Sequence, residues 1–145
     1  MTALPQPISG RECGECTACC VELKIDDPEL QKEDEVACPH MVAHKGCAIY
    51  EHRPMTCRNW SCGWRLMQLS DAMRPDRCGV MLVPEIGTQP GYEKGGLKIV
   101  FLGGQIPATF PDELVDLAGR MVAGGVPLFL TYGQEIGRAS CRERV

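Results

Sequence analysis

The spacing of apolar residues in the second half of the chain predicts strands around one helix. A short apolar run over residues 79–84, bounded by Gly79 and Pro84, is typical of a strand. Residues 97–102 and 126–132 form similar runs, and the first two can pair as a hairpin with a long connection. No catalytic group is recognisable in this half, which we interpret as scaffold.

Residues 111–122 carry the clearest helical pattern. Pro111 suits the first helical position, because the missing N–H costs nothing there. The acidic side chains of Asp112 and Glu113 favour the positive end of the helix dipole. The residues that recur at the spacing of one helical face are Leu114, Leu117, Ala118, Met121 and Val122. The two glycines at 124 and 125 are expected to end the helix.

The first half has weaker periodicity. Val21, Leu23 and Ile25 alternate with charged residues, which predicts a short half-buried strand. The acidic residues 26–35 predict a solvated loop or one exposed helical turn, with a cation site as the less favoured alternative. A helix is also predicted over residues 58–67, with one side formed by Trp60, Trp64 and Met67. Together these patterns predict a small single domain of the α+β class.

Composition and charge narrow the class of protein. The 145 residues fit one ordinary domain, and 44% hydrophobic with 23% charged residues indicates a globular chain. The net charge of −4, without a long basic stripe, argues against nucleic-acid binding through a basic surface. The N-terminus lacks the basic and apolar regions of a secretory signal, and no apolar run suits a membrane span. We therefore expect a cytoplasmic protein with no membrane partner.

The last eleven residues, 135–145, resemble the conceptual translation of a common sequencing-library adapter. On this interpretation the segment is not native and Cys141 carries no chemistry. An ordinary arginine-rich C-terminus is the alternative. The predicted organisation is then a cysteine-cluster metal-binding region over residues 1–78, followed by an α+β scaffold of the same domain over residues 79–134.

Ten cysteines dominate the chemistry of the chain, and nine of them lie at or before Cys78. In a reducing compartment such a density indicates metal binding or redox chemistry, whereas disulfides are the alternative for a secreted chain. The first block, from Cys13 to Cys20, has the pattern C-x2-C-x2-C-C. Two intervening residues let thiolates converge on one ion or cluster, and Gly14 permits the tight turn that this requires.

The adjacent pair Cys19 and Cys20 can serve two sites or flank one. On an extended chain, neighbouring side chains point to opposite faces. A second block, residues 38–62, contributes four more cysteines and all three histidines. Four plus four thiolates suit two zinc sites, one four-iron cluster plus one zinc, or one cluster with the other thiols structural or reactive. His40, close to Cys38, is the best alternative ligand, although the histidines are most simply polar surface groups.

Buried thiolate centres need positive charge nearby. A zinc ion held by four thiolates carries about two negative charges, because the thiolate is the binding form. Arg53 and Arg58 flank Cys57, and Arg65 follows. We predict that Arg53 and Arg58 compensate the charge of the centre, with ordinary surface arginines as the alternative.

The combined pattern resembles a known family. The C-x2-C-x2-C-C block, the segment 47–50 (Cys-Ala-Ile-Tyr) and the segment 53–62 (Arg-Pro-Met-Thr-Cys-Arg-Asn-Trp-Ser-Cys) look like the YkgJ-type cysteine-cluster proteins, described as zinc- or iron-chelating. The resemblance covers about residues 13–62. It implies metal chelation through Cys13, Cys16, Cys19, Cys20, Cys38, Cys47, Cys57 and Cys62. Cys78 lies outside the pattern and is predicted to be a plain buried thiol.

Two classes of function follow. The first is a protein that binds zinc or iron, including iron as an iron–sulfur cluster. The second is an iron–sulfur-dependent redox or protein-modifying enzyme. The flagellin lysine N-methylases carry a similar cysteine block in a longer chain, but no S-adenosylmethionine motif is recognisable here, so methyl transfer does not follow from the likeness.

Overall fold

The first half of the chain folds into short helices and two small hairpins. A computed structural model describes residues 6–85, 93, 95–132 and 135–139. In chain order the elements of the first half are α1 (Ala18–Glu22), β1 (Ile25–Asp27), β2 (Leu30–Lys32), β3 (Met41–Val42), β4 (Gly46–Cys47), α2 (Met55–Asn59), α3 (Gly63–Leu66) and α4 (Pro75–Cys78). Strand β1 pairs antiparallel with β2, and β3 pairs antiparallel with β4. Short 3₁₀ turns cover Tyr50–His52 and Asp71–Met73.

The second half forms a four-stranded sheet with one long helix. Its elements are β5 (Val80–Glu85), β6 (Gly96–Phe101), a 3₁₀ turn (Leu102–Gly104), α5 (Asp112–Ala123), β7 (Leu128–Tyr132) and β8 (Glu135–Ala139). The strands lie in the order β5-β6-β7-β8. Strands β6 and β7 are parallel, and α5 provides the crossover between them, whereas the other two pairings are antiparallel. The predicted α+β class and the single small domain are therefore confirmed.

The predictions for residues 79–132 are confirmed with small shifts at the element ends. The hairpin of β5 with β6 is present, and most of its connection (residues 86–92 and 94) lies outside the described residues. Helix α5 begins one residue after Pro111 and ends at Ala123, and the N–H of the following Gly124 donates to the Arg120 carbonyl. Strand β8 falls within the segment 135–145, of which residues 140–145, including Cys141, lie outside the described residues. Among the described helices none has the length and apolar character needed to cross a bilayer.

The main hydrophobic core joins the two halves of the chain. Leu114 and Leu117 bury one face of α5 against the sheet, as the helical spacing predicts. Met81 of β5 is fully buried, and Trp64 of α3 enters the same core from the first half. Helix α3 lies directly against β5, since an added Cβ at Gly63 would come within 2.6 Å of the Leu82 Cβ. The cysteine-rich half is therefore packed on the sheet.

The strand predicted over residues 21–25 is wrong for most of its length. Residues 18–22 form helix α1, and only Ile25 at the end of the alternating run belongs to a strand. Val21, Glu22 and Leu23 are all half-buried, so the two-residue alternation of burial that defines a half-buried strand is absent. The alternating run of apolar and charged residues is too short to distinguish the two-residue period of a strand from the period of about 3.6 residues of a helix.

The loop or helical turn predicted for residues 26–35 is also wrong. Strands β1 and β2 form a tight hairpin there, and each buries its first and third residues. Asp27, 5% exposed, accepts hydrogen bonds from the Glu29 N–H at 2.9 Å and from the Thr56 N–H and hydroxyl at 3.1 and 2.8 Å. Lys32, 7% exposed, donates to the carbonyls of Val21 and Glu33 at 3.1 Å, and also to that of Leu23. Asp27 and Lys32, which the sequence predicts to be solvent-exposed, are thus buried and have hydrogen-bond partners inside the fold.

The single helix predicted over residues 58–67 is wrong, because the segment forms parts of two helices. Helix α2 ends at Asn59 and α3 begins at Gly63, while Trp60 and Cys62 have extended backbones. The break lets α3 turn its glycine against β5, where no side chain would fit. It also places Cys62 at the start of α3 instead of within a continuous helix.

The contact between Glu113 and Ser70 predicts a pH dependence of stability. The Glu113 carboxylate accepts the Ser70 hydroxyl at 2.6 Å and the Ser70 N–H at 2.8 Å, and these bonds hold the pKa of Glu113 below its usual value. A lowered folded-state pKa adds stability above the unfolded pKa of about 4.3, and that stability is lost as the pH falls through the folded value. We expect Glu113→Gln to lower the melting temperature at pH 7, and the gap from wild type to shrink below about pH 4.

The control for this test is Asp112→Asn. Asp112 occupies the same first turn of α5, and so it shares the interaction with the helix dipole. Its gap from wild type should be smaller at pH 7, since it does not bond Ser70 in the structure. Equal gaps for the two variants at pH 7 would contradict the assignment.

Candidate metal centre

One cavity in the first half collects all eight cysteines of the family-like pattern. Its volume is about 240 Å³. The thiol-bearing residues that line it are Cys13, Cys16, Cys19, Cys20, Cys38, Cys47, Cys57 and Cys62. They come from a turn, from helices α1 and α2, from strand β4, from the loop after β2 and from the residue preceding α3. Residues up to 49 positions apart in the sequence thus face one space.

The first two cysteines occupy a tight turn. The Cys16 N–H donates to the Cys13 carbonyl at 2.9 Å, and Gly14 between them has a φ of 56°, a conformation that suits glycine. The segment before this turn is bound to α3: the Ile8 N–H donates to the Arg65 carbonyl at 2.8 Å, and the Arg65 Nε donates to the Arg11 carbonyl at 3.1 Å. These bonds hold the turn next to the start of α3.

Cys19 and Cys20 lie side by side in helix α1, and not on an extended chain as the sequence argument assumed. Successive residues of a helix are rotated by about 100°, so the two side chains leave the helix in different directions, although their thiols still share a hydrogen bond. Cys19 packs against the main core, whereas Cys20 packs against a second, smaller cluster whose buried members are Ile25, Leu30 and Cys38.

The cysteines at 38 and 47 are joined through the hairpin of β3 and β4. The Cys38 N–H donates to the Cys20 carbonyl at 2.8 Å, and the Met41 N–H donates to the Cys38 carbonyl at 3.0 Å. Met41 is the register partner of Cys47 in the hairpin and packs against the smaller cluster. An added Cβ at Gly46 would lie 2.1 Å from the Gly14 carbonyl oxygen, so only glycine allows this hairpin to approach the first turn.

Cys57 is positioned by the buried carboxylate of Asp27. The two hydrogen bonds from Thr56 to this carboxylate anchor α2 on β1, and Cys57 then packs against the smaller cluster. Cys62 lies after the break between α2 and α3 and is buried in the main core. The break therefore places Cys57 and Cys62, which are only five positions apart in the sequence, in different hydrophobic clusters.

Backbone amides are presented to several of the sulfurs. The His40 N–H lies 3.4 Å from the Cys38 sulfur. Backbone amides also favour the thiolates at three other cysteines: those of Ala18 and Asp76 at Cys16, that of Ile49 at Cys47, and those of Arg65 and Trp64 at Cys62. Such bonds stabilise thiolates, because they place partial positive charge beside sulfur.

Burial opposes ionisation of most of the free thiols. It is the largest cause of a raised pKa at Cys47, Cys57 and Cys62, and it raises the pKa of Cys16 to about 11. The pair in α1 differs, because the Cys19 thiol donates a hydrogen bond to Cys20. This bond raises the pKa of Cys19 and lowers that of Cys20 to about 7, with help from the positive charges of Lys32 and Arg53. A cation in the cavity would therefore displace protons from several thiols.

Two arginines of the first half line the cavity, and a third, Arg58, does not. Arg53 lines it, donates from Nε to the Tyr50 carbonyl at 2.8 Å and stacks on the Tyr50 ring at 4.0 Å. Arg65, which is buried, also lines it. Arg58 is exposed and does not line it, and its charge instead favours the carboxylate of Asp27. Sequence reasoning missed Lys32, whose surroundings within an acidic segment concealed its burial.

Cys78 and two of the three histidines lie outside the cavity. Cys78, at the end of α4, does not line the cavity, and its thiol lies 3.2 Å from the Val80 carbonyl and 3.5 Å from that of Met73. Among the histidines only His40 lines the cavity, and both His44 and His52 are exposed. The structure therefore retains His40 as the alternative ligand that its place in the sequence suggested.

The cysteines line the cavity as separate thiols. All nine cysteines within the described residues are free, so none of these forms a disulfide in the structure. Over the same residues, no three histidine, cysteine, aspartate or glutamate side chains already stand close enough together to hold one metal ion. Thiols are nevertheless the donor type that thiolate metal sites use, and eight of them line this one cavity.

Comparisons with known proteins identify no relative of this chain. No family model, no curated protein and no solved structure matches it. The resemblance to the YkgJ-type proteins therefore rests on the cysteine pattern and its neighbouring residues.

Proposed function

We propose that the protein binds zinc or iron, including iron as an iron–sulfur cluster, through the eight cysteines of the cavity. The observation that carries this proposal is their convergence: eight thiols from six parts of the chain line one space, while the ninth described cysteine, Cys78, lies elsewhere. Hydrophobic packing alone does not explain why eight of the nine described cysteines line this one cavity. The backbone amides near the sulfurs and the positive charges of Arg53 and Arg65 supply the charge compensation that a negatively charged thiolate centre requires.

The raised pKa values of the buried thiols are compatible with this function. A bound cation favours thiolates strongly, and its binding releases their protons. In the metal-free state the same burial keeps Cys16 and Cys62 protonated, which limits the negative charge that the fold must tolerate. Metal affinity should accordingly rise with pH.

Metal analysis of a matched pair of cysteine variants tests the proposal. We expect Cys16→Ser to lower the metal content of the anaerobically purified protein, because it removes a ligand, and Cys78→Ser to leave it unchanged. Zinc, iron and acid-labile sulfide are measured per chain. Equal metal content in the two variants, or wild-type protein that folds normally without zinc and iron, would contradict the proposal.

The same measurement distinguishes the two kinds of centre. A colourless protein with stoichiometric zinc indicates a zinc-binding protein. A brown protein with labile sulfide indicates an iron–sulfur protein and makes the redox or protein-modifying enzyme of the sequence analysis worth testing.

A further inference from the structure

We infer that the eight cysteines form two separate four-thiolate centres that meet at the peptide between Cys19 and Cys20. This inference rests on the proposed function and assigns its ligands. The first thiol set comprises Cys13, Cys16, Cys19 and Cys62. The second thiol set comprises Cys20, Cys38, Cys47 and Cys57. The sequence allowed this partition among several others, and the packing of the chain selects it.

The first thiol set belongs to the main core. Cys62 is buried there, and Cys16 and Cys19 pack against the same cluster. Cys13 is joined to Cys16 through the turn, and the hydrogen bonds between residues 8–11 and Arg65 bring the segment before that turn to α3, next to Cys62. All four therefore lie where the first turn, α1 and the start of α3 meet.

The second thiol set belongs to the smaller cluster. Cys38 is buried there, with Cys20 and Cys57 packed against it. The Cys38 N–H bonds the Cys20 carbonyl, which fixes these two residues together, and Cys47 is tied to them because its register partner Met41 follows Cys38 in the loop. The hairpin of β1 and β2 forms the floor of this cluster through Ile25 and Leu30.

The compensating groups are placed near both sets. Arg65 lies in α3, which Cys62 of the first set immediately precedes, and it lines the cavity. Arg53 lines the cavity and lies between Cys47 and Cys57 in the chain, and Lys32 ends β2, whose hairpin forms the floor of the second set. The His40 N–H lies 3.4 Å from the Cys38 sulfur of the second set. Each set thus has a positive side chain nearby, as a thiolate centre requires.

Cobalt titration of the metal-free 145-residue chain tests the partition. Co²⁺ occupies thiolate zinc sites and, unlike Zn²⁺, has visible absorption, so each filled site can be counted. We expect wild type and Cys78→Ser to saturate at two equivalents, with thiolate charge-transfer bands at both. The double variants Cys16→Ser/Cys62→Ser and Cys38→Ser/Cys57→Ser should each saturate at one equivalent, and Cys16→Ser/Cys57→Ser should form no complete centre.

Several outcomes would overturn the partition. Saturation of wild type at one equivalent would do so, and this result does not depend on whether any variant folds. Complete loss of cobalt binding in both same-set double variants, with circular dichroism still native, would indicate one shared centre and would leave the proposed function intact. Absence of any cobalt, zinc or iron binding by wild type would instead overturn the proposed function itself.

Discussion

Removal of the proposed metal with a strong chelator is expected to unfold the first half of the chain. Binding energy at structural zinc sites is folding energy, on the order of 10 kcal/mol at neutral pH. The described elements of this half are helices of four or five residues and strands of two or three, which are too short to be stable alone. We expect a large drop in melting temperature after chelation, measured by circular dichroism under anaerobic conditions.

Hydrogen exchange should localise this effect. Amides of β1 to β4 and of α1 and α2 should lose protection in the chelated protein, whereas β5, β6 and α5 should keep more of theirs, because they share the larger core. The control is Cys16→Ser/Cys57→Ser, in which both proposed centres are incomplete: its melt should be the same with and without chelator. An unchanged wild-type melt would contradict a structural metal.

The second half was predictable because its periodicity is long enough to be unambiguous. Helix α5 repeats its apolar positions over twelve residues, with glycines at its end, and the β5 and β6 runs are continuous and bounded. In these segments local propensity and burial in the core favour the same structure. The parallel pairing of β6 with β7, and strand β8 with its pairing to β7, required the three-dimensional structure.

The first half was not predictable in the same way, because its short elements are determined by tertiary contacts. The sequence of α1 has no helical apolar stripe, and its conformation directs Cys19 and Cys20 to different clusters. Asp27 and Lys32 were read as solvated, and their burial depends on partners such as Thr56 and the Val21 carbonyl that no local pattern reveals. Hydrogen bonds to partners distant in the sequence determine whether such charged residues are buried.

The candidate ligands were nevertheless predictable as a group. The family-like pattern selected eight cysteines and excluded Cys78, and the cavity contains those eight. Spacing could not divide them, since the helix predicted over residues 58–67 contains Cys62 and gives no reason to separate it from the nearby Cys57. The extended backbone at Trp60 and Cys62 separates them, and it depends on the fit of Gly63 against β5.

Trp64→Ala is expected to cost about 3–5 kcal/mol of stability without changing the number of metal ions bound. The Trp64 side chain is 6% exposed in the main core, and its Nε1 donates to the Ser70 carbonyl at 3.0 Å. The Arg11 guanidinium stacks on its ring at 4.7 Å and also donates to its carbonyl. Truncation therefore removes a large apolar contact and the ring on which Arg11 stacks, one of the contacts that anchor the N-terminal segment leading to Cys13.

Metal-saturated protein unfolded in urea gives the measurement, with Trp64→Phe as the matched control. Phenylalanine retains most of the buried ring but loses the Nε1 bond, which should cost about 1 kcal/mol plus a small packing loss. Trp64 does not line the cavity, so both variants should bind as much metal at saturation as wild type. A loss below about 1 kcal/mol for Trp64→Ala would mean that α3 is not held on the sheet by this side chain. Reduced stoichiometry in Trp64→Ala would instead mean that the first thiol set depends on this anchor for its geometry, because Cys62 immediately precedes α3.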